Sequence, residues 1–178
     1  MTNRLAAFLF GCAVALPTLG QAPTPPADDP FLDRLAGHWV LEGAVLGKPT
    51  TQDLDAEWVL GHQYLRLHEV SREAKADGTP RYEAIAFISI DHKSGEYRCL
   101  WLDSTTGDGL AIEGLGQAKR AGDTIPFAFR TKDGTVDFLN TFAYDAKANG
   151  WTWTLENVKN AKPVPFASFR LARKPCQQ

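Results

Sequence analysis

Beyond residue 37 the chain is cut by turn residues at such short intervals that one kind of fold accommodates it. Strand-like runs occupy 38–47, 51–60, 63–74, 80–91, 96–105, 109–119, 124–132, 135–145, 150–159 and 164–173. Between them stand "GK", "GH", "ADG", "DHKSG", "TGDG", "RAGD", "KDG", "DAKANG" and "NAKP", residues that favour turns. Each connection is two to five residues long, the span of a hairpin. Parallel pairing would need crossovers of a dozen residues or more. Ten strands joined this way form an antiparallel meander. Left open, such a sheet exposes two long edges, so closure into an up-and-down, ten-stranded all-β barrel is the expected architecture.

The segment before the strands carries the one helical signal. In "DPFLDRLAG", Asp29 suits an N-cap, Pro30 the first helical position and Gly37 a stop. Phe31, Leu32 and Leu35 form an apolar stripe on this short N-terminal helix. Gly37-His38-Trp39 then turns sharply into the first strand, which places the Trp39 indole under the barrel as a plug.

Further upstream, "QAPTPPADD" (21–29) reads as an extended Pro-rich linker. Residues 1–20 have the features of a signal peptide. Arg4 is followed by an apolar run over 5–19 that is too short to span a bilayer, and Thr18 and Gly20 are small residues before a cleavage point. "LFGC" (9–12) has the outline of a lipoprotein cleavage box, but Phe10 is bulky for that slot. The expected organisation is signal peptide 1–20, linker 21–29, barrel domain 30–174 and tail 175–178, in a periplasmic or secreted protein with no membrane span after signal removal. The mature chain keeps two cysteines, Cys99 and Cys176, either as one disulfide or as two thiols.

Several stretches resemble a known family. Gly37-His38-Trp39 matches the Gly-x-Trp signature of lipocalin-like (calycin) barrels. "EWVLGHQYLRLHE", "YEAIAFISIDHKSGEYRCLWLDSTTGDG" and the closing "FRLARK" are similar to secreted bacterial lipocalin-like domains. The resemblance covers roughly residues 31–174. It implies a calycin-type barrel with an internal cavity, and it carries over no catalytic set. Some similar barrels hold haem on a histidine near the C-terminus, but no histidine follows His92 here.

Alternation along the strands indicates what lines such a cavity. The ninth strand is the clearest, with Trp151, Trp153, Leu155 and Asn157 on one face and Thr152, Thr154 and Glu156 on the other. The eighth presents Phe138, Asn140 and Phe142, the second Leu54, Ala56 and Trp58, and the fifth Tyr97, Cys99, Trp101 and Asp103. The same rule assigns Tyr64, Arg66 and His68 of the third strand, Glu83, Ile85, Phe87 and Ser89 of the fourth, and Phe166, Ser168 and Arg170 of the tenth to the interior. The expected ligand site is therefore Trp58, Tyr64, Phe87, Trp101, Phe138, Phe142, Trp151 and Trp153, with Arg66, His68, Asp103 and Asn140 as polar contacts. Arg66 is expected to orient an anionic head group unless a carboxylate already pairs with it.

Function is bounded mainly by exclusion. A net charge of −2 without a basic stripe argues against nucleic acid. No H-E-x-x-H, C-x-x-C, G-x-S-x-G or phosphate-cradling loop occurs, and no His or Cys pair has metal-ligand spacing, so no cofactor is expected. The leading reading is a binder of a small hydrophobic or amphipathic molecule. The alternatives are a cavity enzyme using His68 with a carboxylate such as Asp103 or Glu113, and a solid barrel working through its surface. The oligomeric state is left open.

Overall fold

A computed structural model describes residues 29–105 and 109–174. The expected signal peptide (1–20), residues 21–28 of the expected linker and the tail 175–178 with Cys176 lie outside the described residues. Ten antiparallel strands close into a barrel in meander order. They are β1 (Gly37–Val45), β2 (Lys48–Val59), β3 (Tyr64–Ser71), β4 (Glu83–Asp91) and β5 (Glu96–Asp103), followed by β6 (Leu115–Lys119), β7 (Thr124–Arg130), β8 (Val136–Asp145), β9 (Gly150–Lys159) and β10 (Lys162–Arg173). Closure is made by β1 against β10, from Trp39↔Arg173 to Val45↔Ala167. Among the described residues no helix is long and apolar enough to cross a membrane.

Two sequence expectations need correction. The N-terminal helix is a single 3-10 turn, Leu32–Arg34. Its N-cap is Phe31 rather than Asp29 and carries no side-chain cap, while Asp29 Oδ1 accepts from the Phe31 and Leu32 amides just before the turn. The sixth strand begins at Leu115 rather than 109. Before it, residues 109–114 form a loop and a second 3-10 turn, Ile112–Gly114. Together with the β3–β4 connection (72–82), this long β5–β6 connection stands at one end of the barrel, which we call the mouth. Both exceed the hairpin lengths read from the sequence.

The opposite end, the base, is sealed by the N-terminal turn. A one-turn helix leaves its carbonyls without intrahelical partners, and three side chains supply donors. Trp39 Nε1 donates to the Leu35 carbonyl at 2.7 Å. Trp151 Nε1 donates to the Arg34 carbonyl at 3.2 Å. The Arg173 guanidinium donates to the carbonyls of Arg34 and Ala36, both at 3.1 Å, and lies 4.3 Å over the Trp39 ring. Gly37 has φ +128°, and a Cβ there would stand 2.5 Å from Arg173 Nη1. The positive φ favours glycine here, and a Cβ would in addition make the Arg173 guanidinium shift.

On the far side of the base, Tyr97 of β5 donates its hydroxyl to Asp29 Oδ2 at 2.6 Å. Phe31, Leu32 and Leu35 are buried beneath Trp39 and Trp151, and Phe31 meets Trp151 edge-on at 5.2 Å. Above them Leu41, Leu54, Leu65, Ile88 and Phe127 fill the lower barrel without exposed surface. Trp39 thus joins the turn, the closing strands and the core. Replacing it with alanine removes a fully buried indole, and Trp39→Ala should cost about 3–5 kcal/mol. A urea melt followed by far-ultraviolet circular dichroism measures this; a loss below about 1 kcal/mol would place Trp39 outside the core.

Candidate functional site

Packing ends partway up the barrel, and Trp153 of β9 marks the boundary. Its ring stacks on Phe142 at 4.8 Å, approaches Trp101 at 5.5 Å and Phe169 at 5.9 Å, and its Nε1 donates to Asn140 Oδ1. Beyond this layer the barrel is hollow. A cavity of about 1180 Å³ reaches from Asn140, Leu155 and Phe169 to the mouth loops. Gly116 on β6 admits Phe129 into its wall: a Cβ there would sit 2.7 Å from that ring.

The two sides of the cavity differ in chemistry. Phe129, Phe138, Phe166 and Phe169 make one side apolar, with Phe138 and Phe166 in edge contact at 5.9 Å. Opposite them, β2, β3 and β5 bring Gln52, Glu69, Ser71, Trp101 and Asp103 inward, with Tyr82 from the β3–β4 connection. The register explains the grouping. Leu54, Glu69, Ala84 and Asp103 lie in one row across β2 to β5. The small Ala84 leaves the Glu69 and Asp103 side chains room to approach each other. Gln52, opposite Ser71, is one step nearer the mouth.

Asp103 is held in place by Thr105, whose amide donates to Oδ1 at 2.7 Å, and by Trp101 Nε1, 3.2 Å from Oδ2. Glu69 is 3% exposed and Gln52 4%. Glu69 Oε2 and Gln52 Oε1 are buried without a hydrogen-bond partner. Burial, and secondarily the charge of Asp103, push the Glu69 carboxyl up to about 8. The Tyr82 phenol is raised well above its ordinary value by burial and by the negative charges of Glu69 and Asp103.

Of the site residues expected from sequence, Trp101, Asp103, Phe138 and Asn140 line this cavity. Phe142, Trp151 and Trp153 do face inward but belong to the packed layers beneath it. Trp58 sits near the base, stacked on His62 at 4.1 Å and donating to Asp33 at 2.8 Å. Tyr64, Arg66, His68 and Phe87 are on the outer wall, because Leu65, Leu67, Ala84, Ala86 and Ile88 take the inner positions of β3 and β4. Glu83, Ile85 and Ser89 face outward with them. Arg66 pairs with Glu57 across the β2–β3 ladder at 2.5 Å and orients nothing in the cavity. His68 does meet a carboxylate, Glu83 at 2.8 Å, but outside the barrel, so the expected interior acid–base pair with Asp103 is not formed. A bulge between Pro165 and Ala167 reverses the later part of β10. Ala167, Phe169 and Leu171 therefore point inward, in place of Ser168 and Arg170.

Sequence reasoning missed Gln52, Glu69, Tyr82, Phe129 and Phe169. Glu69 had a signal: it ends the alternation Leu65-x-Leu67-x-Glu69, a lone carboxyl on an apolar face. Cys99 is a free thiol on the inner face of β5, and burial pushes it up to about 12. Among the described residues, no group of three or more His, Cys, Asp or Glu side chains could hold a metal ion. No family model matches the chain, and no curated protein matches it either.

Glu69 predicts a pH dependence whose sign is fixed. Its carboxyl titrates near 8 in the folded protein against an ordinary value of 4.5. Between those values the folded state holds a proton that the unfolded state lacks, so this group's contribution to stability falls as pH rises. Glu69→Gln carries no such slope. Urea melts should show wild type losing roughly 2–4 kcal/mol relative to the variant between pH 5 and pH 8. Parallel stability curves would mean that Glu69 is solvated.

Proposed function

We propose that the protein is an exported, lipocalin-like binding protein that carries a small amphipathic molecule in the mouth half of its barrel. The observation that carries this reading is the 1180 Å³ cavity above the Trp153 layer, apolar on one side and polar on the other. A pocket of that size, mostly apolar with a few convergent polar groups, is the usual form of a small-molecule site. The Gly37-His38-Trp39 corner supports the lipocalin-like assignment, because its indole plugs the base as that resemblance implies. Export rests on the sequence of residues 1–20. An enzyme built on His68 loses its support with that residue on the outer wall, and a solid barrel does not accommodate the open volume.

Trp101 is a natural reporter, since it lines the cavity while Trp39, Trp151 and Trp153 are enclosed in packing. Titration with medium-chain amphiphiles and hydrophobic aromatic compounds should quench tryptophan emission saturably. Trp101→Phe should remove most of that change while leaving the fold intact. A flat response to every compound, with the wild type folded by circular dichroism, would leave the barrel as a scaffold without a cavity ligand.

A further inference from the structure

Resting on that reading, we propose that the Gln52–Glu69–Asp103 side of the cavity receives a protonated amine head group, so that the barrel selects cationic amphiphiles. Two buried acceptors, Glu69 Oε2 and Gln52 Oε1, have no partner, although each belongs to a side chain less than a twentieth exposed. Buried polar atoms are nearly always hydrogen-bonded, so once Glu69 is ionised both oxygens call for donors that the described residues do not supply. An ammonium supplies three donors and a positive charge together. Among the described residues no ion pair reaches Glu69. Of the three basic side chains that line the cavity, Arg81 meets Glu73 at 3.3 Å and Lys132 meets Glu113 at 3.9 Å, while Lys48 stands at the first residue of β2.

The groups facing Glu69 favour a cation from every direction. Asp103 on β5 adds a second carboxyl, and Tyr82 from the β3–β4 connection adds a phenol that stays protonated. Neutral Gln52 and Ala84 complete the surround from β2 and β4. Trp101 Nε1 donates to Asp103 Oδ2 and holds that carboxyl in the wall. An anionic head would find basic residues only at the rim, at Lys48, Arg81 and Lys132, while the inner wall would oppose it with two carboxyls. Phe129, Phe138 and Phe166 across the cavity suit the apolar body of the same ligand.

Proton balance follows from this geometry. Glu69 holds a proton in the empty protein at neutral pH. When an ammonium binds, the carboxyl ionises against it, and the displaced proton passes to the buffer.

The test holds the apolar body constant and changes the head. Phenylbutylamine, phenylbutanol and phenylbutyrate are titrated at neutral pH by tryptophan fluorescence and by calorimetry in two buffers of different ionisation enthalpy. The amine should bind at least ~10-fold more tightly than the alcohol, as a charge-assisted hydrogen bond allows, with the carboxylate weakest. Amine binding should also release a fraction of a proton, seen as a buffer-dependent heat. Glu69→Gln and Asp103→Asn, each verified as folded, should bring the amine's affinity down to about that of the alcohol measured on the same variant. Equal affinities for all three heads, a carboxylate preference, or an amine preference that survives both variants would overturn the head-group assignment while leaving the cavity reading intact. Failure of all three probes and of the wider set of amphiphiles to bind would remove both.

Discussion

The barrel depends on how it satisfies three carbonyls. The N-terminal turn presents the oxygens of Arg34, Leu35 and Ala36 at the base with no helix to receive them. Burying such groups unpaired would cost free energy at each one. Trp39, Trp151 and Arg173 provide the donors, one each from β1, β9 and β10. Two of those strands, β1 and β10, form the pair that closes the sheet. Sealing the base and closing the barrel are therefore a single structural event, and Arg173 acts in both through its contacts with the turn and its place over the Trp39 ring. Asp29 fixes the other side of the turn by accepting from the Phe31 and Leu32 amides and from Tyr97 on β5.

A base sealed on two sides decides where space can remain. The large side chains of the turn and of β1, β8 and β9 crowd the lower half, up to the Phe142–Trp153 stack. Above that stack the inner positions of β2 to β4 become smaller or polar: Gln52, Glu69, Ser71 and Ala84 follow the leucines and isoleucine of the lower rows. The β3–β4 connection, 72–82, and the described residues 104–105 and 109–114 of the β5–β6 connection also stand at this end. Volume and loop length thus point the same way, giving a packed base and an open mouth, the arrangement in which function commonly sits on loops held by a scaffold.

The closed ten-stranded barrel was legible in the turn spacing, and the Trp39 plug in a single tripeptide. The cavity wall was legible only in part, for a geometric reason. Residues opposite each other in an antiparallel pair share a face. A connection with an even number of residues therefore exchanges even for odd positions between its strands. The β2–β3 connection, 60–63, does this, pairing inward Trp58 with Leu65 and outward Val59 with Tyr64. Carrying the even-numbered face forward from β2 put Tyr64, Arg66 and His68 on the wrong side. Where alternation was strong within the strand itself, as in β8 and β9, the inner face was read correctly, and β5 was placed correctly although Leu100 and Leu102 make its outer face almost as apolar. In β10 the alternation was weak, and no turn residue announced the bulge between Pro165 and Ala167. Gln52 lay on the recognised inner face of β2 but, as a polar residue among alternating charges, gave no sign of its burial.

The same correction changes the charge of the interior. With Arg66 inside, the cavity would be a cationic site; with Glu69 inside, it is an acidic one. On β3 the inner sequence runs Leu65, Leu67, Glu69, Ser71, and a third leucine at 69 would continue the core at no desolvation cost. Burial instead displaces the Glu69 carboxyl by several pH units, so the empty protein bears a penalty at neutral pH that an apolar residue would avoid. A cation beside the carboxyl, such as the amine head group proposed above, would offset that penalty. Polar groups buried without partners destabilise a fold unless a ligand completes them. The acidic wall and the unfilled volume beside it are therefore one feature of the barrel.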